Sequence, residues 1–283
     1  MSTTTIDPVL ESQYNVSAAR ADVDAVRADW QARSEAFRAT RDARLDLAYG
    51  DAPRETLDLF RTNEVDAPLL IFIHGGYWQR GDKSIYSFLA EHLNAAGVHV
   101  AVAGYTLCPE NTVAEIAAQI RRAAAWLWQN AEDLEINPDR INVTGHSAGG
   151  HLTAMMVATD WPAVATGLPA DLIKSAIPIS GLFDLAPLRQ TTINTLVGLT
   201  DEDAVKESPI HLKPRSRAPL LITVGGGETQ AFHDQAGWLA KAWQGEGGCI
   251  ETFVEPGADH FDVINCLAAP DSGLFRKLVA WLR

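Results

Sequence analysis

Gly145-His146-Ser147-Ala148-Gly149 sets a serine between two glycines, directly after the apolar run 141–144 and directly before a helical pattern. A serine hydroxyl serves as a nucleophile when it stands at the tip of a tight turn. The residues two positions either side must then be small, so that strand and helix can approach each other. Gly145 and Gly149 meet that need, and Gly150 relaxes it further. The following helix would aim its free amides and positive dipole end at the same spot, which favours an anionic intermediate. The chemistry implied is acyl transfer through a covalent serine intermediate.

Such a step develops negative charge on a carbonyl oxygen, and preorganised backbone N–H groups must receive it. One donor comes from the residue after the nucleophile, Ala148. The others are expected from His74-Gly75-Gly76-Tyr77-Trp78, where a glycine pair ends an apolar run upstream. Gly76 and Tyr77 are the assigned donors, by analogy with H-G-G loops. His74 reads as a structural residue that holds this loop by hydrogen bonds.

Of eight histidines, only His260 follows the last apolar run, in Pro256-Gly257-Ala258-Asp259-His260-Phe261-Asp262. The chain order serine, acid, histidine requires the base there. The acid should follow the run 220–224. Glu228 is the first carboxylate after it, and Asp234 is the competitor about one and a half helical turns on. A glutamate can orient an imidazole as an aspartate does. Asp259 is poorly placed to grip the neighbouring ring and reads as fixing the loop. Cys108, in Thr106-Leu107-Cys108-Pro109, has no adjacent base and reads as buried and structural.

These residues need a scaffold that brings strand ends together. From about residue 45, short β-rich stretches at 45–49 and 56–61 suggest an antiparallel start. Near-continuous apolar runs follow at 69–74, 98–104, 141–145, 173–179, 220–224 and 250–254. Runs without polar alternation fit strands covered on both faces, as in a parallel sheet. Helical patterns lie between them at 87–96, 113–128, 148–159, 230–243 and 274–282. That alternation predicts one α/β catalytic domain over 45–283, with a mostly parallel central sheet flanked by helices. Residues 1–44 are polar and glycine-free. Val23, Val26, Trp30 and Phe37 recur there at helical spacing, which predicts a helical N-terminal cap. The segment 181–214 lacks sheet character and is expected to help cover the site.

The chain has 283 residues, 47 % of them hydrophobic, which is ample for a sizeable core. A net charge of −13, from 23 basic and 36 acidic residues, disfavours nucleic acid or an anionic membrane as partner. Three scattered cysteines make no disulfide framework, and the N-terminus has no secretory pattern. A cytoplasmic protein without a membrane span is expected, and a homodimer is left open. No metal or organic cofactor is called for by the motifs, since there is no H-E-x-x-H, P-loop or G-x-G-x-x-G.

The motifs from Asp7-Pro8-Val9-Leu10 through His74-Gly75-Gly76-Tyr77-Trp78, Gly145-His146-Ser147-Ala148-Gly149-Gly150 and Asp259-His260-Phe261-Asp262 share a wider pattern. With Cys108-Pro109-Glu110 and Ser180-Gly181-Leu182-Phe183-Asp184, the chain resembles the α/β-hydrolase kynurenine formamidases (arylformamidases) and their bacterial carboxylesterase relatives. The resemblance implies the α/β-hydrolase fold. It also implies a Ser147–Glu228–His260 triad that hydrolyses N-formylkynurenine, or small aryl esters and formanilides, as its small-molecule aromatic partner. Tyr77, Trp78, Phe183 and Phe261 are expected to wall a flat apolar pocket, with Tyr14 reaching it from the cap. Two other readings stay open: a general small-substrate carboxylesterase, and a non-catalytic hydrolase-fold protein that binds a ligand without turning it over.

Overall fold

In the computed structural model, which describes residues 5–40 and 43–283, eight strands form a single sheet in the order β1-β2-β4-β3-β5-β6-β7-β8. The strands are β1 Arg44–Ala48, β2 Thr56–Phe60, β3 Leu69–Ile73, β4 His99–Ala103, β5 Ile141–His146, β6 Ala176–Ile179, β7 Leu220–Gly225 and β8 Ile250–Glu255. The pairs β1–β2 and β2–β4 are antiparallel, and every later pair is parallel. Residues 1–4 and 41–42, which fall within the expected cap, lie outside the described residues.

The apolar runs become strands for the reason the sequence suggests. Every residue of β3, β4, β5, β6 and β7 is buried, because helices cover both faces of the sheet. The helix Ala148–Val157 packs on β3, β5 and β6, and Gln230–Ala242 packs on β7 and β8. Only the edge strands β1 and β8 show exposed positions. Two expected elements differ in extent, and one further helix was not expected. Residues 173–175 enter irregularly before β6, with Lys174 N bonded to Ile141 O at 2.8 Å. The expected helix at 87–96 is a 3-10 turn, Lys83–Leu89, leading into Ala90–Ala95; the Asp82 side chain starts it by accepting from Ser84 N at 2.9 Å. A short helix, Asp262–Leu267, also follows His260, where only a loop was expected.

The N-terminal segment contains the helices Pro8–Tyr14 and Val23–Ala39. In the longer one Trp30, Ser34 and Phe37 are buried, a stripe at i, i+4 and i+7 that packs against Lys83–Leu89. Asp7 caps the shorter one through Val9 N at 2.8 Å. Asp7 N also bonds Gln190 O at 2.8 Å, which ties this helix to the segment 181–214. No described helix is long and apolar enough to cross a membrane.

Candidate active site

Parallel strands converge with their C-terminal ends on one edge of the sheet, and α/β proteins place ligands there. Ser147 stands between the end of β5 and the helix Ala148–Val157. Its backbone is at φ 59°, ψ −118°, a conformation an L-residue adopts only when its surroundings impose it. Three features impose it here. Ser147 N bonds Ile179 O at 2.9 Å. A Cβ on Gly149 would press into the Ile73 carbonyl and lie 2.8 Å from His74 O. The Gly75 position abuts Ser147, since a Cβ there would sit 3.0 Å from Ser147 Cβ.

The loop after β3 is equally constrained. Gly76 has φ 111°, and Tyr77 and Trp78 have φ 52° and 56°. His74 anchors it: the ring bonds Gly75 O through Nδ1 at 2.8 Å and stacks on Tyr105 at 4.2 Å, and Tyr105 Oη donates to His74 O at 2.9 Å. Burial holds the His74 pKa down at about 4, so the ring is neutral at pH 7. Among the described residues, no protein acceptor takes the amides of Gly76, Tyr77 or Ala148. Tyr77 and Ala148 are buried and Gly76 is half-buried, and an amide without a protein acceptor can donate to an anion.

His260 lies in the loop after β8. Its Nδ1 is 2.6 Å from Glu228 Oε2, and the Glu228 side chain is fully buried. An ionised carboxylate only accepts, so Nδ1 carries the proton and Nε2 keeps its lone pair. The other oxygen of Glu228 accepts from Gly225 N at 2.8 Å and from the Ser180 hydroxyl. Asp234 instead accepts from Gln230 Nε2 at 2.9 Å on its own exposed helix face. Asp259 takes the amides of Phe261 and Asp262, each at 2.8 Å, and the Arg20 guanidinium at 2.7 Å. It therefore fixes the loop. The His146 ring lies 4.5 Å from that of His260, and burial pushes its pKa well down.

Ser147 and His260 line one cavity of about 160 Å³, together with His146, Gly75, Gly76 and Tyr77. That volume suits a single aromatic ring. Trp30, Tyr86 and Phe261 contribute its aromatic surface, with Ile85 and Val16 beside them. Of the expected wall residues, Tyr77 and Phe261 line the cavity. Trp78, Phe183 and Tyr14 do not. The turn at positive φ swings the Trp78 indole edge-on against His151 at 5.0 Å. Phe183 is fully buried and its amide bonds Gln235. Tyr14 is buried outside the cavity, its hydroxyl accepting from Gln235 Nε2 at 3.0 Å and its carbonyl from the Tyr77 hydroxyl. The segment 181–214 contributes no lining residue either; Val16, Ser17, Arg27 and Trp30 of the N-terminal segment roof the cavity in its place.

Sequence reasoning also missed Ser180, Tyr86 and Arg80. Ser180 ends a strand run at φ 50°, which aims its hydroxyl at Glu228. Its place after an apolar run was the available signal. Cys108 is buried, and burial pushes its thiol pKa up to about 11, which leaves it unreactive at neutral pH.

Residues 57–229 match the BD-FAE family. The kynurenine formamidase of Salmo salar is 32 % identical over 243 residues, covering 83 % of this chain and 80 % of that protein. A crystal structure from Silicibacter sp., described provisionally as a thioesterase, superposes with a TM-score of 0.84 at 37 % identity, covering 96 % of this chain and 98 % of that one. Esterase B of Lactobacillus rhamnosis shares the fold at a TM-score of 0.70 and 18 % identity, over 93 % of this chain and 95 % of its own.

Proposed function

The chain belongs to the BD-FAE family of α/β-hydrolases, with kynurenine formamidases among its homologues, and on that premise we propose that it cleaves a small aryl formamide or ester through Ser147, His260 and Glu228. The family is one of serine-hydrolase-type esterases and formamidases. The observation that carries the finer reading is the Glu228–His260 pair, buried and 2.6 Å apart, with His260 and Ser147 lining one cavity. In this reading residues 1–44 act as a cap on a catalytic unit formed by 45–283.

His260 Nε2 takes the hydroxyl proton as Ser147 Oγ attacks the carbonyl carbon. The carbonyl oxygen becomes an oxyanion held by the amides of Gly76, Tyr77 and Ala148. Collapse of the tetrahedral species expels the aryl amine or alcohol, which receives the proton from His260. Water, deprotonated by the same imidazole, attacks the acyl-enzyme and releases the acid, formate in the formamide case. Glu228 holds the ring in the required tautomer and stabilises the imidazolium. A formyl carbonyl is unhindered and an aryl amine leaves more readily than an alkyl amine, so this arrangement suffices for that amide. The ring-sized cavity with Phe261, Trp30 and Tyr86 suits the aryl part.

The esterase reading has support from the solved esterase structures of the same fold. The test measures formate release from N-formylkynurenine beside 4-nitrophenyl acetate hydrolysis, for wild type and Ser147→Ala. The formamidase reading expects both activities, with formamide turnover comparable to or above ester turnover. A strong preference for the ester leaves a carboxylesterase. Retained activity in Ser147→Ala, or failure of a fluorophosphonate to label Ser147, removes the serine mechanism altogether.

A further inference from the structure

The end of β6 touches both turns of the proposed site. Ile179 O accepts the Ser147 amide at 2.9 Å, and the next residue, Ser180, donates its hydroxyl to Glu228 Oε1. Ser180 N also bonds Thr223 O at 2.7 Å, which continues the pairing of β6 with β7, the strand that leads into Glu228. A Cβ on Gly150 would lie 2.8 Å from Gly181 Cα and 2.9 Å from Ile179 O, so the helix after Ser147 packs directly on this strand end. Ile179 and Ser180 thus join the turn of the nucleophile to the turn of the acid.

Ser180 is spent on one contact. Its backbone sits at φ 50°, where a residue with a Cβ is held only by its surroundings, and the residue is 1 % exposed. Among the described residues its hydroxyl has no hydrogen-bond partner besides Glu228. The acid has use for that contact. A glutamate has one more rotatable bond than an aspartate, and the preceding Gly225-Gly226-Gly227 offers no side chain to wall it in. Oε2 faces His260 Nδ1 at 2.6 Å, so the plane of the carboxylate is set by what Oε1 accepts. Gly225 N, at 2.8 Å, belongs to Glu228's own turn. Ser180 is the donor from a different strand, and it refers the carboxylate to the rest of the sheet. An oxygen that accepts twice carries no proton, so the proton of the pair stays on Nδ1.

We propose that Ser180 is a positioning residue for the reaction. It acts through Glu228, holding the carboxylate in line with His260 Nδ1, and it touches no substrate, since it does not line the cavity. This inference rests on the reading of Ser147, His260 and Glu228 as the triad and adds a fourth side chain to it. Hydrogen bonds to a buried charge are among the stronger ones, and in a network the loss of one member is felt by the others.

The test compares 4-nitrophenyl acetate hydrolysis by wild type, Ser180→Gly, Ser180→Ala and Glu228→Gln, with kcat referred to folded protein measured by circular dichroism. Glycine adopts φ 50° freely, so Ser180→Gly removes the hydroxyl and relieves the turn, whereas Ser180→Ala removes the hydroxyl and keeps the strain. Both should lower kcat by about tenfold, with KM within about twofold of wild type. Ser180→Gly decides where Ser180→Ala does not fold. A second readout is the proton resonance of His260 Nδ1–H, assigned by its loss in His260→Gln. A short charge-assisted bond places it far downfield in wild type, and it should move upfield or broaden in both Ser180 variants. The inference is overturned by a Ser180→Gly kcat within about twofold of wild type, a loss confined to Ser180→Ala, a loss carried by KM, or an unmoved resonance. If Glu228→Gln keeps the wild-type kcat, Glu228 is not the working acid and the inference falls with the triad. If Glu228→Gln loses activity and Ser180→Gly does not, the inference alone falls. Should wild type not turn over the acetate, the resonance decides by itself.

Discussion

At the turns around Ser147 the backbone holds the geometry, with Tyr77, Trp78, Ser147 and Ser180 at positive φ and carbonyls packed where any glycine side chain would go. In the N-terminal segment the backbone is mostly ordinary helix, and beside the backbone bond from Asp7 N to Gln190 O it is side-chain hydrogen bonds that attach it to the rest of the molecule. Arg20 bonds Asp259 and Asp262, Trp30 Nε1 and Arg33 both reach Asn265 Oδ1 at 3.0 Å, and Thr229 Oγ1 donates to Gln13 O at 2.7 Å. The first region is strained, dry and encoded by local sequence. The second is half-solvated and joined to partners more than two hundred residues away. On the proposed function the reacting atoms sit in the first and the cavity roof in the second, so the two should fail under different perturbations and by different amounts.

The largest separation should come from the acid behind the base. Glu228→Gln removes the carboxylate that fixes the His260 tautomer, and kcat should fall about 10⁴-fold with the fold retained. Asp234→Asn, on the exposed face of the neighbouring helix, should change kcat/KM less than about twofold. Comparable losses in the two variants would show that the Glu228–His260 contact is not the working one. Next is Gly149→Ala, where the added methyl meets the Ile73 carbonyl with no room to move. Destabilisation of roughly 3 kcal/mol or more is expected in denaturant melts, since backbone atoms cannot rotate out of the way. A variant as stable as wild type would mean that the turn is far softer than its contacts indicate.

Acid should act on the same buried region. His74 and His151 are fully buried, and burial pushes each pKa down to about 4 from 6.5. Between those values the unfolded chain binds protons that the folded chain refuses. Stability is thus intact above about pH 6.5 and falls as pH drops toward 4, by up to roughly 3 kcal/mol for each ring. His151→Gln should flatten the curve over that window by about one histidine's share. An unchanged acid limb would place the loss elsewhere. The exposed ion pairs of the N-terminal segment should answer to salt instead.

The contrast also explains what the sequence could convey. Runs such as 69–74 and 220–224 read as buried strands because a parallel sheet covers both faces and erases polar alternation. Ser147, the Gly75-Gly76 turn, Glu228 and His260 were legible because each sits just past a strand end, where local spacing decides the geometry. The cavity roof was not. Whether 181–214 or the N-terminal helices cover the site depends on long-range docking such as Arg20 to Asp259, which no local pattern encodes. Trp78 and Phe183 misled for a related reason: adjacency to a catalytic motif does not say which way a side chain turns at positive φ or in a buried loop.

The smallest effect falls on that docking, and it separates a roof that merely covers from one that also steadies the base. Arg20 Nη1 bridges Asp259 and Asp262, one residue before and two after His260, and the arginine side chain is 19 % exposed. An attachment of this kind contributes about 1 kcal/mol, because half-solvated charges gain little over their hydration. Arg20→Ala should therefore lower kcat/KM about fivefold, and Arg20→Lys less. The gap from wild type should narrow as ionic strength rises from about 0.05 M to about 1 M, since screening weakens the bridge in wild type itself. Glu228→Gln, whose partner is fully buried, should keep its deficit at every salt concentration. If Arg20→Ala matches wild type at low salt, the roof does not steady the His260 loop through this bridge. If the deficit persists undiminished at high salt, Arg20 acts by packing against Phe261, whose ring centre lies 5.7 Å from its guanidinium, and not by charge.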